Sequence, residues 1–153
     1  MSACLSVLVH RTYHLQWYCL IYDKLHLGLG RGTSSLTSST SSSSSTANNG
    51  HGSADAVHGS LLAASELLAH SGDFMLPRFK ELSTAILLLR EHKSRTVRAA
   101  LIELLPTLAR FCPDAFGRAY LDDSLDFLVK SARIAELRSD ALVALGKLCL
   151  VQI

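Results

Sequence analysis

The sequence predicts an all-α fold, an α-solenoid of HEAT/armadillo-like antiparallel helix hairpins. Its main support is a register that repeats every 40 residues and opens at Val57, Val97 and Leu137. Apolar residues return in each register at about i, i+4, i+5, i+8 and i+11, which is the spacing of one helix face. A helix that recurs at this interval is typical of a solenoid, where each unit buries its apolar face against its neighbours.

Five helices follow from the apolar spacing and from the residues that begin and end each one. Asp55 is suited to cap the first helix and Gly72 to end it, while Pro77 falls in the first turn of the second helix, where a missing N–H costs little. No segment outside the Ser-rich sequence alternates with the period of two that strands require. Short links between the helices indicate antiparallel hairpins, two helices per unit. The predicted helices are 55–70, 73–91, 96–111, 116–133 and 136–153.

Leucines are predicted to hold the inner helices of the stack together. Pro106 lies inside the third helix, at the register position that Gly146 occupies in the fifth. A proline there removes one backbone hydrogen bond and bends the helix, which suits a superhelix, so we assign it no chemical role. The predicted inter-helix core consists of Leu101, Leu105, Leu108, Leu142, Leu145 and Leu148.

Composition divides the chain into three parts. Residues 1–30 stay unassigned, residues 31–54 form a Ser/Thr/Gly-rich linker, and residues 55–153 are the solenoid, about two and a half repeats. Thirteen of the fourteen residues from Thr33 to Thr46 are Ser or Thr. Such a segment has too little apolar surface to offset the entropy lost on ordering, so we expect it to be disordered, open to proteases and a target for phosphorylation.

The first thirty residues carry no strong targeting signal. An apolar run from Ala3 to Val9 lacks a basic region before it and is far too short to span a bilayer. A transit peptide is an alternative, because Arg and Lys outnumber acidic residues there and Ser-rich sequence follows. The preferred interpretation is a divergent end of the chain. Leu27-Gly-Leu-Gly-Arg-Gly32 has the wrong glycine spacing for a phosphate-binding loop and opens no helix.

Charge and cysteine content argue against several classes of protein. The chain has 15 Lys and Arg and 13 Asp and Glu; three of the basic and one of the acidic residues precede residue 55, which leaves twelve of each in the folded part. A nucleic-acid surface would need a basic stripe there. The four cysteines form no CxxC pair, so neither a zinc site nor a disulfide framework is predicted. Cys112 and Cys149 are expected to be small buried hydrophobes.

No residue is assigned to catalysis, to a cofactor or to a metal. The acidic candidates are Asp122, Asp123 and Asp126, which fall on one predicted helix face. Such a cluster is more often a solvated face near a helix N-terminus, where the helix dipole favours negative charge. We therefore expect this chain to perform no catalysis and to bind no cofactor or small-molecule substrate.

Two segments carry the HEAT pattern V-R-x-x-A-x-x-x-L-x-x-L. They are Val97-Arg-Ala-Ala-Leu-Ile-Glu-Leu-Leu-Pro-Thr-Leu108 and Leu137-Arg-Ser-Asp-Ala141 with the leucines that follow it. The acidic residue that usually stands just before this motif is absent at the usual spacing. The ladder of Asp–Arg pairs found along HEAT stacks is therefore not expected at Arg98 and Arg138.

Four stretches occur in an order that resembles the N-terminal HEAT region of the target of rapamycin (TOR) Ser/Thr protein kinases. That family has similar stretches of the type HGALL-x-x-x-EL, NLLPRLAAF-x-P-x-AF, YL and ALG-x-L at comparable intervals. The resemblance covers residues 55–153 and does not extend to the linker or the first thirty residues. The four stretches are His58–Leu68, Leu104–Phe116, Tyr120–Leu121 and Ala144–Leu148.

The resemblance implies that this chain is a fragment of a scaffold region, because the catalytic domain of TOR kinases lies near their far C-terminus. No H-R-D or D-F-G signature is present, and Gly72-Asp-Phe74 is interpreted as a loop between helices. By the same resemblance, the partners are a Raptor-type subunit and other repeats of the same solenoid, in the cytoplasm. An unrelated HEAT or armadillo adaptor, such as a transport or phosphatase scaffold, is the alternative.

The end of the fifth helix predicts that further repeats follow. Its last ten residues, 144–153, contain no stop signal, glycine cap or polar cover. Solenoids generally need three or more repeats, with terminal units that are polar on their outer face. We expect the isolated chain to be marginally stable and to self-associate through this uncovered face.

Overall fold

The computed structural model describes residues 16–30 and 49–151, with side chains from residue 54 onward in the second range. Every regular element in these ranges is helical, which confirms the predicted all-α fold. Two short 3-10 helices, Gly72–Arg78 and Leu88–Glu91, flank α3. The α-helices are α1 (16–30), α2 (Asn49–His70), α3 (Phe79–Leu87), α4 (Arg95–Phe111), α5 (Pro113–Ala119), α6 (Leu121–Ala132) and α7 (Arg138–Val151).

The inner row of the stack consists of α2, α4 and α7, with α4 in the middle. α4 packs against α2 on one side and against α7 on the other, so apolar residues are needed around most of its circumference. The repeating register therefore corresponds to one inner helix per repeat. The buried apolar side chains of α4, apart from Pro106, are Val97, Ala100, Leu101, Ile102, Leu104, Leu105, Leu108 and Ala109.

For one of the six leucines, the prediction that it belongs to the core is wrong. Leu142 of α7 is 55% exposed, and Leu62 at the same register position of α2 is 49% exposed, whereas the equivalent Ile102 of α4 is fully buried. The reason is position in the stack: α4 has an inner neighbour on both sides, and α2 and α7 have one each among the described residues. The other five predicted leucines are buried or half-buried: Leu101, Leu105, Leu108, Leu145 and Leu148.

The outer row consists of α1, α3 and α6, and α5 connects α4 to α6. The helix predicted at 116–133 is two helices that meet at Tyr120, whose backbone leaves the helical region (φ −130°, ψ −11°). The hydroxyl of Tyr120 donates to the carbonyl oxygen of Lys80 at 3.1 Å, which ties the start of α6 to α3. Arg90 and Asp123 form an ion pair at 3.4 Å across the same junction.

Two predicted helix boundaries also differ. α2 begins at Asn49 and not at Asp55, so the last six residues of the predicted linker are helical. The predicted helix 73–91 has 3-10 geometry at both ends, with Pro77 inside the first of these. Gly72 ends α2 as predicted, with φ of +51°. The remainder of the linker and its expected disorder lie outside the described residues.

The first thirty residues include a helix of the stack, α1, which the sequence did not predict. In α1, the side chains of Tyr22, Leu25 and Leu29 are buried in the common core. α1 supplies the outer partner of α2, and the described residues therefore contain three hairpins, where the sequence predicted two and a half repeats. The signal was weak because two glycines, Gly28 and Gly30, interrupt the apolar spacing of this helix.

Replacing Leu105 by alanine tests the central position of α4. Leu105 is fully buried, so Leu105→Ala should lower the free energy of unfolding by about 2–5 kcal/mol through lost burial and a residual cavity. Leu142→Ala is the matched control, because the same truncation at an exposed site should cost less than about 0.5 kcal/mol. Urea unfolding of both variants gives the comparison. Equal losses would contradict the assigned packing.

Candidate interaction surfaces

A cluster of polar and aromatic side chains fastens α1 to the outer row. The hydroxyl of Tyr22 donates to a carboxylate oxygen of Glu81 on α3 at 3.1 Å, and Nε2 of His26 lies 3.1 Å from the other carboxylate oxygen. The guanidinium of Arg78 lies over the rings of Phe74 and Tyr22, 4.1 and 5.4 Å from their centroids, a geometry that attracts a cation to the π face. This cluster positions α1 against α2 and α3.

Burial changes the acidity of the central member of this cluster. Removal of Tyr22 from water, followed by its hydrogen bond to Glu81, raises the pKa of the phenol to about 12. Both effects disfavour the phenolate, because the charged form would be poorly solvated and would face a carboxylate. The neutral phenol is therefore a stabilising contact of the folded chain.

Gly28 lets α1 approach α2 closely. A Cβ atom built at Gly28 would overlap Oγ of Ser60, and it would lie 3.3 Å from the carbonyl oxygen of Ala56. The Ser60 hydroxyl donates to that same carbonyl at 2.8 Å, so it sits in a fixed place under α1. At Gly30 a Cβ would meet nothing within 4 Å. Gly28 is therefore required for the close packing of α1 against α2. This gives a packing role to one glycine of the segment 27–32, whose spacing does not match a phosphate-binding loop.

A shallow apolar groove of about 410 Å³ runs between α1 and α2. We call it the α1–α2 groove. Trp17 on its wall is 63% exposed, and Leu20 and Ile21 are also open to solvent. The α2 side of the groove is formed by small residues. The lining consists of Trp17, Leu20, Ile21, Lys24, Leu25, Ala56, Gly59, Ser60 and Ala63.

A second groove, of about 390 Å³, crosses the inner row and is polar. We call it the inner groove. Glu103 and Asp140 place negative charge in it and Lys147 places positive charge, beside the ring of Pro106. A surface that joins three inner helices and carries both signs of charge on α4 and α7 suits contact with another protein. Its lining consists of Ser65, Glu103, Pro106, Asp140, Val143, Ala144 and Lys147.

α7 exposes several apolar side chains to solvent. Leu150 is 79% exposed, and Leu142 and Val143 are also more than half exposed. An uncovered set of this kind indicates a contact surface. The expected self-association of the chain through this face stays a prediction.

The three aspartates considered for catalysis lie in the first half of α6. Asp123 pairs with Arg90, as described above, and Asp126 pairs with Lys130 at 2.8 Å, one helical turn away. The hydrogen bond from Lys130 lowers the pKa of the exposed Asp126 carboxyl. Asp122 lies exposed beside them. The arrangement matches a solvated helix face near the N-terminus of α6.

The three described cysteines, Cys19, Cys112 and Cys149, are unpaired, and they follow the prediction only in part. Cys112 is half-buried and packs against the core. The prediction for Cys149 is wrong, because this residue lies on the exposed side of α7; its register equivalents are Ala69 and Ala109, and only the latter is covered on both sides. Within the described ranges no three His, Cys, Asp or Glu side chains gather as a metal site would require.

The two arginines of the HEAT pattern have different surroundings. Nε of Arg138 donates to the carbonyl oxygen of Ala132 at 3.2 Å, at the end of α6. Among the described residues, buried Nε of Arg98 has no hydrogen-bond partner. Arg95 instead links repeats, through Glu136 at 3.5 Å. Gly72-Asp-Phe74 lies in a 3-10 helix whose Phe74 ring packs 5.6 Å from that of Tyr18, and so belongs to the inter-helix contacts.

Three stacked hairpins with grooves and apolar end faces define the class of protein: this is a segment of an all-α helical-repeat protein. Comparison with known proteins specifies the family. The chain is 31% identical to the Ser/Thr protein kinase TOR of Arabidopsis thaliana over 150 residues, which cover 97% of the chain and 5% of that kinase. TOR of Oryza sativa subsp. japonica gives the same identity and coverage.

A fungal relative agrees with the plant ones. The Ser/Thr protein kinase tor1 of Schizosaccharomyces pombe is 36% identical over 98 residues, which cover 64% of the chain and 4% of the kinase. The chain therefore belongs to the TOR kinase family, as a fragment that spans about one twentieth of the length of the relatives it matches. No protein-family profile matches it, and no solved structure gives a significant match.

The plant matches change the status of the first thirty residues. An alignment over 97% of the chain necessarily includes most of residues 1–30 and the Ser-rich segment. The resemblance recognised from the sequence covered only residues 55–153, whereas the plant alignments cover almost the whole chain. Within residues 16–30 and 49–151, no helix combines the length and the apolar composition that crossing a membrane requires.

Enlarging Gly28 should loosen α1. Gly28→Val inserts a branched side chain against Ser60 and should cost about 1–3 kcal/mol. Gly30→Val, two residues away, meets open space and should be neutral within about 0.5 kcal/mol. Urea unfolding followed by the fluorescence of Trp17, the single tryptophan of the chain, reports on α1 directly. A neutral Gly28→Val variant would show that the two helices do not touch there.

The raised pKa of Tyr22 predicts a loss of stability at high pH. Because the folded pKa, about 12, lies above the unfolded value of about 10, the contribution is complete below pH 10 and is lost as the pH rises to 12. The loss should reach at most about 2 kcal/mol. Tyr22→Phe is the control: it removes this titration at the expense of about 1 kcal/mol at neutral pH. Parallel pH curves for the two proteins would refute the assignment.

Proposed function

We propose that this chain is a protein–protein interaction scaffold, part of the N-terminal HEAT-repeat region of a TOR-type Ser/Thr protein kinase acting in the cytoplasm. The observation that carries the proposal is the match to TOR kinases over 97% of the chain, in a segment built of three stacked hairpins. The whole parent protein would be the kinase, and this segment would position partners without taking part in phosphoryl transfer.

The relatives favour this function over the unrelated adaptor that the sequence left open. Plant and fungal matches are all named as TOR kinases. A solenoid contributes extended surface through its repeated helices, which is how such arrays bind partners. Two ion pairs, Arg90–Asp123 and Arg95–Glu136, join adjacent repeats and so stabilise the stack.

The partner that we propose is a Raptor-type subunit, and the inner groove is the surface that we propose for it. The groove crosses all three inner helices, so a bound partner would contact three repeats at once. Glu103, Asp140 and Lys147 offer charges of both signs, and such charges determine specificity and association rate more than bulk affinity. The neighbouring Pro106 and Val143 add apolar contact.

Charge reversal in the inner groove tests this function. A chain carrying Glu103→Lys and Lys147→Glu should bind an immobilised Raptor-type subunit about tenfold more weakly than the unchanged chain. Asp122→Lys, on the exposed face of α6, is the matched control and should bind normally. Circular dichroism melting verifies that the variants fold. Failure of the unchanged chain to bind, or an equal loss in the control, would reject the proposed partner surface.

A further inference from the structure

Basic residues of the folded part gather at one edge of the stack, although acids and bases balance over the whole of it. They lie around the connections that lead from an outer helix to the next inner helix. Residues 88–98 contain four Lys and Arg against one Glu, and residues 130–138 contain three against one. The connections from an inner to an outer helix, 71–78 and 112–120, each contain one Arg and one Asp. The fold therefore concentrates positive charge that the composition does not reveal.

The two basic segments lie side by side. Nη2 of Arg95 donates to the carbonyl oxygen of Glu136 at 3.2 Å, and Nε of the same arginine lies 3.5 Å from the Glu136 carboxylate. α4 has 17 residues and is about 25 Å long, so its two ends belong to opposite edges of the stack. We call residues 88–98 and 130–138 together the basic edge.

Four cations of the basic edge have no ion-pair partner in the part of the chain that the structure describes. The other three form the ion pairs described above. Like charges that share an edge create a positive potential, which attracts an anionic partner and speeds its association. Three of the four unpaired cations are exposed and one is half-buried. They are Lys93, Arg133 and Arg138, which are exposed, and Arg98.

A buried histidine fixes the backbone of the first basic segment. Nδ1 of His92 accepts a hydrogen bond from the backbone N–H of Ser94 at 3.1 Å, just before α4. Burial lowers the pKa of His92, and the charge of Arg98 acts in the same direction. The imidazole is therefore neutral near neutral pH, as an acceptor at Nδ1 must be. The charge of the edge comes from its Lys and Arg residues alone.

Exposed aliphatic side chains accompany the cations and indicate the kind of partner. Leu88 in one segment is 55% exposed, and Ile134 in the other is 38% exposed. Neither segment contains Phe, Tyr or Trp, whereas single-stranded nucleic acids are bound by cations together with aromatic side chains on which the bases stack. Arginines bind carboxylates through paired hydrogen bonds, and the aliphatic groups gain from burial against apolar side chains. This composition favours a protein partner.

We propose that the basic edge binds an extended acidic segment of another protein, in which carboxylates alternate with apolar residues. Packed helices lie about 8–10 Å apart, a distance that three residues of extended chain span at about 3.3 Å each, so one segment contacts both repeats. Lys93 and Arg133 are the principal anchors, because each is exposed, unpaired and in a different segment. The basic edge shares no residue with the inner groove, so the proposal goes beyond the proposed function.

Charge reversal at the two anchors tests the proposal in the full chain. The probe is a fluorescein-labelled peptide of Glu-Glu-Leu repeats, about nine residues long, which spans about 30 Å when extended. Fluorescence anisotropy should show that the unchanged chain binds it and that added salt weakens binding, because salt screens exposed charges. A chain with Lys93→Glu and Arg133→Glu should bind on the order of tenfold more weakly.

The matched control carries Lys80→Glu and Arg110→Glu. These residues are also exposed, at the start of α3 and in the last turn of α4, and their reversal changes the net charge equally. The control should bind like the unchanged chain. Circular dichroism melting verifies folding, and a chain with Lys93→Gln and Arg133→Gln, which only removes the charges, should show an intermediate loss of binding.

Three results would overturn the proposal. The first is an equal loss of affinity in the control and in the reversed chain, or no binding of the peptide by the unchanged chain. The second is equally tight binding of a peptide of Glu-Glu-Ser repeats, which would remove the role of the aliphatic side chains. The third is tighter binding of a thymidine oligonucleotide of similar charge, which would assign the basic edge to a nucleic acid.

Discussion

The contact of α4 with α2 on one side and with α7 on the other is the interaction on which the rest of the structure depends. α4 buries apolar residues on both of these sides, with Leu101, Leu105 and Leu108 fully covered. Because dispersion and the hydrophobic effect both grow with the number of contacting groups, this helix contributes more per residue than the helices at the ends. The stack is held together because α4 has two apolar sides, one packed against α2 and the other against α7.

The exposed features follow from the same arrangement. α2 and α7 carry the register of α4, yet each lacks one inner neighbour among the described residues, so Leu62 and Leu142 face solvent where Ile102 is buried. The α1–α2 groove and the apolar face of α7 are therefore two ends of one repeating interface. The outer row adds directional contacts, through Tyr22 to Glu81 and through Tyr120 to Lys80, which fix how each hairpin sits on the next.

This geometry also explains how a TOR-family segment can conserve a fold with few chemical motifs. Substitutions in a solenoid are constrained mainly by burial at the register positions, since each repeat contacts only its neighbours. Charged groups pair between adjacent repeats, as Arg95 and Glu136 do, or lie on helix faces open to solvent. The surfaces left over are the inner groove and the exposed apolar side chains at the two ends of the described stack.

Much of the stack could be predicted from the sequence because its buried apolar residues recur at a fixed interval of 40 residues. The register located α2, α4 and α7 and ended the first at Gly72, since buried leucines must recur at fixed intervals. It could not distinguish Leu142 from Ile102, because a register records spacing and not the number of neighbours. It also missed α1, where Gly28 is required by the close approach to Ser60, a contact between segments 32 residues apart.

The candidate surfaces were less predictable than the fold. The inner groove joins Ser65, Glu103 and Lys147 from three helices, and no local pattern marks these residues as neighbours. The sequence likewise predicts an ordinary helical position at Tyr120, whereas in the structure its hydroxyl donates to the carbonyl oxygen of Lys80 on α3. Such sites arise from packing between repeats, so they become visible only after the helices are placed.

Native-state hydrogen exchange measured residue by residue tests the central role of α4 most directly. Amides of α4 should exchange only through global unfolding and should be the most protected of the chain, with α2 and α7 less protected and α1 the least, because local opening is easiest where fewest buried contacts are lost. Protection of α4 equal to or lower than that of α1 would contradict the account.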